Sequence, residues 1–209
     1  MIKKIEDFVF AKSFSETKNF IKKFCESPST SVVELIYITG ATSKGKTDLL
    51  NIFGTELMLN NSIAKIKRIE ANDIINHFLH SLDQHEIENF ISHYLQFEII
   101  LIDDYELLNN RAQTTEMMIH FLNSLRKAGK KIILSCTDKK GLNSITKLLP
   151  VIKTQTIDLN LNLIDLNKLI KVKSSLLGLD HANYRPDSSD IREIEGFLKK
   201  EKFAQILAS

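Results

Sequence analysis

Residues 36–47 read Ile-Tyr-Ile-Thr-Gly-Ala-Thr-Ser-Lys-Gly-Lys-Thr. An apolar run ends in G-x-x-x-x-G-K-T, and Asp48-Leu49-Leu50 then opens a helical pattern. A strand, a glycine-bounded loop and a helix in that order form a P-loop in its required context. Few folds accommodate it: the strand must lie in a parallel sheet with its helix packed on one face. Gly40 and Gly45 let the backbone turn tightly and bring N–H groups up to phosphate oxygens. The helix N-terminus adds its dipole and unpaired donors. Candidate phosphate-contacting residues are Gly40, Ala41, Thr42, Ser43, Lys44, Gly45, Lys46, Thr47 and Asp48. Lys46 is placed to reach β- and γ-phosphates, and Thr47 to ligate Mg²⁺. The competing reading is a surface turn that fits by chance. Glycine is scarce, only 7 of 209 residues, which disfavours it.

Composition adds limits rather than direction. A length of 209 residues suits one domain, or one with a small appendage. Apolar residues at 43% and charged residues at 26% are ordinary for a globular chain. A net charge of +2 does not announce a nucleic-acid partner. Cys25 and Cys136 lie far apart, outside any C-x-x-C, so reduced thiols in a cytoplasmic compartment are expected. No signal peptide or membrane-length apolar run is visible.

The second decisive stretch is Glu98-Ile99-Ile100-Leu101-Ile102-Asp103-Asp104. A strand ending in two carboxylates at the ligand-binding edge of a parallel sheet is a Walker B arrangement. Asp103 is assigned to Mg²⁺, and Asp104 to orienting or polarising the attacking water. A plain polar turn is the bland alternative, and the P-loop upstream counts against it. Lys131 to Asp138 reads as another buried strand with a polar end, where Thr137 or Asp138 is placed to sense a γ-phosphate.

The remaining pattern is coarser. Val32 to Ile38 is the strand before the P-loop, Ile63 to Ile69 an imperfectly alternating strand, and Thr154 to Leu159 a last short one. Asn72 or Asp73 is a candidate cap for a helix carrying Ile74, Ile75, Phe78 and Leu79. His77, His80, His85 and His93 lack a clear ligand spacing and read as helix-surface residues rather than a zinc site. Arg111 to Lys127 is an amphipathic helix ended by Gly129. From Asn162 the pattern is helical, and Asp190 with Glu193 resembles a capping box for the last helix. Strands alternating with helices give a doubly wound parallel α/β sheet over 1–160, with a small helical lid over 161–209.

Along nearly its whole length the chain resembles the AAA+ ATPases of the DnaA initiator family, including the short regulators of the Hda type. Asp7-Phe8-Val9 resembles the family's segment beside the adenine, which implies a nucleotide contact for Val9. Gly40 to Thr47 resembles Walker A. Leu101 to Asp104 resembles Walker B, with its second Asp. Thr115-Glu116 to Leu125 resembles the helix that follows, and Ile132 to Asp138 the sensor 1 strand. Asp190-Ile191-Arg192-Glu193-Ile194-Glu195-Gly196 resembles sensor 2, which implies that Arg192 reaches the phosphates from the lid. The likeness implies a P-loop AAA+ fold and ATP or ADP with Mg²⁺. It departs in three places. No arginine lies between Arg126 and Arg185, where the family carries its arginine finger. The lid looks shortened between Leu177 and Asp190. The sequence stops at Ser209, where the initiator's DNA-binding domain would follow, so sequence-specific origin binding is not expected.

Three functions are weighed on this basis. The first is a DnaA-related, Hda-like regulator or accessory factor of replication initiation. It would dock on DnaA or another AAA+ replication protein, or form a homo-oligomer, with DNA contact weak or indirect, no membrane partner, and at most slow ATP hydrolysis. The second is a DnaC/IstB-like helicase-loader ATPase acting with single-stranded DNA. The third is a scaffold holding nucleotide as a structural element only. A G protein is disfavoured because N-K-x-D is missing.

Overall fold

The fold is seen in a computed structural model, which describes residues 5, 15–61, 63–105, 112–137, 152–159, 163–179 and 191–208. In chain order these form α1 (Ser15–Glu26), β1 (Leu35–Thr39), α2 (Lys46–Asn60), β2 (Ile66–Glu70), α3 (Ala71–Asp83), α4 (Ile87–Leu95) and β3 (Ile99–Asp103). They continue with α5 (Ala112–Lys127), β4 (Lys131–Cys136), β5 (Thr154–Asp158), α6 (Leu163–Leu176) and α7 (Ile191–Ala208). The five strands form one sheet in the order β2-β3-β4-β1-β5, and every pairing is parallel. This is the expected doubly wound α/β sheet.

Strand composition sets position in the sheet. β1 and β3 are apolar almost throughout and buried at every residue, as strands covered on both faces must be. Alternate residues point to opposite faces. Leu35, Tyr37, Ile100, Ile102, Ile132 and Leu134 meet α3, α4 and α5 through Ile74, Phe90, Tyr94, Phe121 and Leu125. Ile36, Ile38, Ile99, Leu101 and Ile133 meet α1 and α2 through Ile21, Phe24, Leu49, Phe53 and Leu57. Each such side chain removed from water contributes about 1.5–3 kcal/mol before conformational entropy is charged against it. β2 and β5, the edge strands, alternate only partly and stay half-exposed.

Several boundaries move from the sequence reading, each for a local reason. β1 starts at Leu35 rather than Val32, because its ladders begin opposite Ile132 and Thr154; Val32 is left exposed. β2 is Ile66–Glu70, and Ile63 is exposed. The chain passes from β2 directly into α3 at Ala71, with Glu70 at the cap position. Asn72 and Asp73 therefore lie inside the first turn, where Asp73 complements the helix dipole rather than capping it. α2 begins at Lys46, two residues before Asp48, because Gly45 is the N-cap. Arg111 and Asp190 lie outside the described residues.

α6 and α7 pack on each other, burying Ile170, Ile194 and Leu198, and Lys173 Nζ pairs with the Glu195 carboxylate. The histidines are not all plain surface residues. His77 is half-buried, its Nδ1 lies 3.1 Å from Tyr94 Oη, and its ring stands 5.2 Å from Phe90 and 5.1 Å from His93. No cluster of three or more potential metal ligands occurs among the described residues.

Candidate phosphate-binding site

The site begins where β1 ends. Thr39, its last residue, leads into a loop that turns at Gly40, passes Ser43 in the left-handed region (φ 62°) and reaches Gly45 at φ 85°, ψ 19°. Gly45 needs that left-handed conformation, and glycine supplies it without steric cost. Gly40 keeps a crowded spot clear: a Cβ there would stand 3.0 Å from Leu159 Cβ, tighter than nine in ten such contacts, so Leu159 would have to give way. The first bond back into α2 is Leu49 N–H to Gly45 O, at 2.9 Å. One step earlier the Lys44 N–H donates to Ala41 O at 3.3 Å, closing a turn within the loop.

Lys46 is the first residue of α2 and is only 8% exposed. Its ammonium donates to Gly40 O at 2.9 Å and Ala41 O at 3.3 Å, so it lies inside the loop's own curve. Lys44 is also buried, at 8% exposure.

Asp103 ends β3, and its side chain is 4% exposed. The strand beside it is β4, whose Leu134 pairs with Ile102, so Ser135 falls next to Asp103. Ser135 is fully buried, and its hydroxyl donates to Asp103 Oδ1. Arg68 reaches across from β2 and donates from Nη2 to Asp103 Oδ2 at 3.0 Å. Asp104 takes φ 53°, a left-handed conformation that Asp tolerates better than most residues. Its N–H contacts Ser135 Oγ at 3.0 Å and Asp103 Oδ1 at 3.2 Å. The kink leaves the Asp104 side chain exposed and returns Tyr105 to the core, where burial and the neighbouring Cys136 push its phenol pKa up.

The sequence-assigned residues divide accordingly. Gly40 to Asp48, Asp103, Asp104 and Thr137 all stand at the carboxyl ends of the neighbouring strands β1, β4 and β3. Thr137 directly follows β4 and is half-buried. Arg192 is exposed in the first turn of α7. Val9 and Asp138 lie outside the described residues. Two residues were not foreseen: Ser135, one strand position before Cys136, and Arg68. Scarcity was the only available signal for Arg68, one of five arginines in the chain.

Residues 3–155 match the Bacterial DnaA ATPase domain family, more than half of the chain. The chain belongs to that family. Among curated DnaA-family relatives, the chromosomal replication initiator protein DnaA of Buchnera aphidicola subsp. Cinara cedri is 26% identical over 182 residues. That alignment takes in 82% of this chain and 42% of the relative, so the chain spans less than half of that protein's length. A solved replication initiator DnaA, bound to AMPPCP and single-stranded DNA, superposes with a TM-score of 0.78 at 22% identity, covering 95% of this chain and 64% of that one. The DnaC helicase loader superposes with a TM-score of 0.58 at 16% identity, covering 74% of this chain and 96% of the loader. At those identities the two superpositions speak for the fold alone, a parallel α/β sheet arranged as in the DnaA initiator. No described helix is long and apolar enough to cross a membrane.

The DnaA-type site fits a magnesium–polyphosphate ligand on its own chemistry. A Cβ at Gly40 would crowd Leu159 at 3.0 Å, and the Lys46 ammonium lies buried in the loop. Thr47, Asp103 and Asp104 are hard oxygen donors of the sort Mg²⁺ prefers.

Proposed function

We propose that this chain binds ATP or ADP with Mg²⁺ and acts as a DnaA-related, Hda-like regulator or accessory factor of replication initiation. One observation carries the reading: the phosphate loop, the Asp103–Asp104 pair and Thr137 meet on one sheet edge in a chain of the DnaA ATPase domain family.

The roles follow from the residues. Loop amides from Gly40 to Asp48 orient the phosphates. Lys46 turns its ammonium from the Gly40 and Ala41 carbonyls onto β- and γ-phosphate oxygens. Thr47 and Asp103 hold the metal. Bound there, Mg²⁺ neutralises charge on the β- and γ-phosphates. Asp104, kinked outward, orients the attacking water, with Thr137, and Asp138 beside it, sensing the γ-phosphate. Val9 lies against the adenine. Arg192 reaches the phosphates from a lid comprising 161–209, while 1–160 forms the core. Turnover is slow, and nucleotide state controls docking on DnaA or another AAA+ replication protein, or on a second copy of this chain. DNA contact is weak or indirect, and the protein works in the cytoplasm.

The alternative is a DnaC/IstB-like loader acting with single-stranded DNA. The match of residues 3–155 to the DnaA ATPase domain family favours the DnaA reading.

Equilibrium binding of a fluorescent adenine nucleotide tests the site. Binding that weakens roughly tenfold or more in Lys46→Ala is expected, from loss of a buried charge-assisted contact. No binding, or binding indifferent to Lys46→Ala, overturns the proposal. Partner function is tested with DnaA loaded with labelled ATP, in the presence of DNA and sliding clamp. Faster nucleotide loss on adding this chain supports the Hda-like reading. No change, together with tight salt-sensitive binding of single-stranded DNA, supports the loader.

A further inference from the structure

The carboxylate assigned to Mg²⁺ already has a cation on it. Asp103 Oδ1 accepts the Ser135 hydroxyl and the Asp104 N–H, and Oδ2 accepts Arg68 Nη2 at 3.0 Å. A carboxylate offers about four lone-pair directions, so little of this one is uncommitted. The three partners are not equivalent. Ser135 is fully buried on the central strand β4, and the Asp104 amide is fixed in the backbone. The Arg68 side chain is 40% exposed, against 4% for Asp103. It projects from edge strand β2 on a long flexible stem and covers the carboxylate from the solvent side. Arg68 is therefore the partner that can leave. A divalent ion reaching Asp103 meets a charge already compensated, and the two cations compete for one anion.

We infer that Arg68 is the resident counter-ion of the Mg²⁺-binding carboxylate and sets the Mg²⁺ concentration at which nucleotide is held. This rests on the nucleotide-binding reading above and adds a regulation to it. Arg68 acts through Asp103 and is a positioning residue. At low Mg²⁺ it keeps Asp103 paired and in place. As Mg²⁺ rises, the guanidinium yields Oδ2 and swings into solvent. Lysine in its place would compete less well, since one ammonium lacks the planar fork that grips a carboxylate.

The test titrates Mg²⁺ against the full chain with methylanthraniloyl-ADP, which cannot turn over. The half-saturating Mg²⁺ concentration is read for wild type, Arg68→Gln and Arg68→Lys, each against its own saturated signal. Arg68→Gln is expected to lower that midpoint about tenfold, the effect of a charge-assisted contact discounted for its partial exposure. Arg68→Lys is expected between the two. A merely structural role for Arg68 would alter thermal stability and leave the midpoint in place. Equal midpoints, or a rise in Arg68→Gln, overturn the inference while nucleotide binding stands. Failure of wild type to bind nucleotide at any Mg²⁺ concentration removes the site reading and this inference together. Should circular dichroism show Arg68→Gln unfolded, Arg68→Lys decides alone: a lowered midpoint supports the inference and an unmoved one ends it.

Discussion

Replacing Ser135 by alanine isolates one part of the Asp103 cluster. Its hydroxyl is fully buried, donates to Asp103 Oδ1 and accepts the Asp104 N–H at 3.0 Å. Ser135→Ala removes a hydrogen bond to a charged group, typically about 1.5–3 kcal/mol. Two features keep the cost near the middle of that range. The Asp104 N–H retains Asp103 Oδ1 at 3.2 Å, and Arg68 still neutralises Oδ2, so neither polar partner is orphaned. A loss of about 2 kcal/mol follows, and for a domain of this size each kcal/mol moves Tm by roughly 2–4 °C. The expected fall is thus about 4–8 °C, read by circular dichroism melting and checked by urea unfolding. In a double-mutant cycle, Ser135→Ala with Asp103→Ala is expected to cost less than the sum of the singles, because both remove the same contact. A melting temperature within about 1 °C of wild type, or strict additivity in the cycle, would refute the argument that this hydroxyl anchors the carboxylate.

Other tests address the core. Burial, then the neighbouring His93, His80 and Lys67, hold the His77 pKa below the usual imidazole value of 6.5. The unfolded chain therefore binds a proton that the folded chain refuses in the interval just below pH 6.5. Stability is full above that pH and declines as pH falls through it; urea midpoints from pH 8 to 5.5 should show the drop, and His77→Gln should flatten it. Burial, with Glu56 and Glu26, pushes the Cys25 thiol pKa up to about 12, and Cys136 is buried too. Neither thiol should react with Ellman's reagent at pH 8 until denaturant is added; rapid native reaction would contradict the packing. Ser174 Oγ is fully buried with no hydrogen-bond partner among the described residues, so Ser174→Ala should leave stability level or raise it by up to about 1 kcal/mol. A clear fall in midpoint would mean the hydroxyl is paired.

What could be read in advance was what depends on neighbours in sequence. The glycines at 40 and 45 and the carboxylates at 103 and 104 sit next to apolar strands, so loop, strand end and sheet type were visible together. What needed the fold was what depends on neighbours across strands. Arg68 meets Asp103 only because β2 pairs with β3 in a particular register, Arg68 opposite Leu101. Ser135 looked like one polar residue in a strand end until β4 was set beside β3. β2 itself was blurred because an edge strand half in water tolerates Lys67, Arg68 and Glu70 among its isoleucines. His77 read as a surface residue because its ring partners come from α4, folded back across α3.

The contact between Gly40 and Leu159 has a mechanical consequence. Leu159 donates its N–H to Thr39 O at 2.7 Å, and a Cβ added at Gly40 would stand 3.0 Å from its side chain. The start of the phosphate loop is thus tied to the residue that follows β5 by one backbone hydrogen bond and one close approach. A side chain at position 40 would therefore press on the residue that closes β5 as well as strain the loop it belongs to.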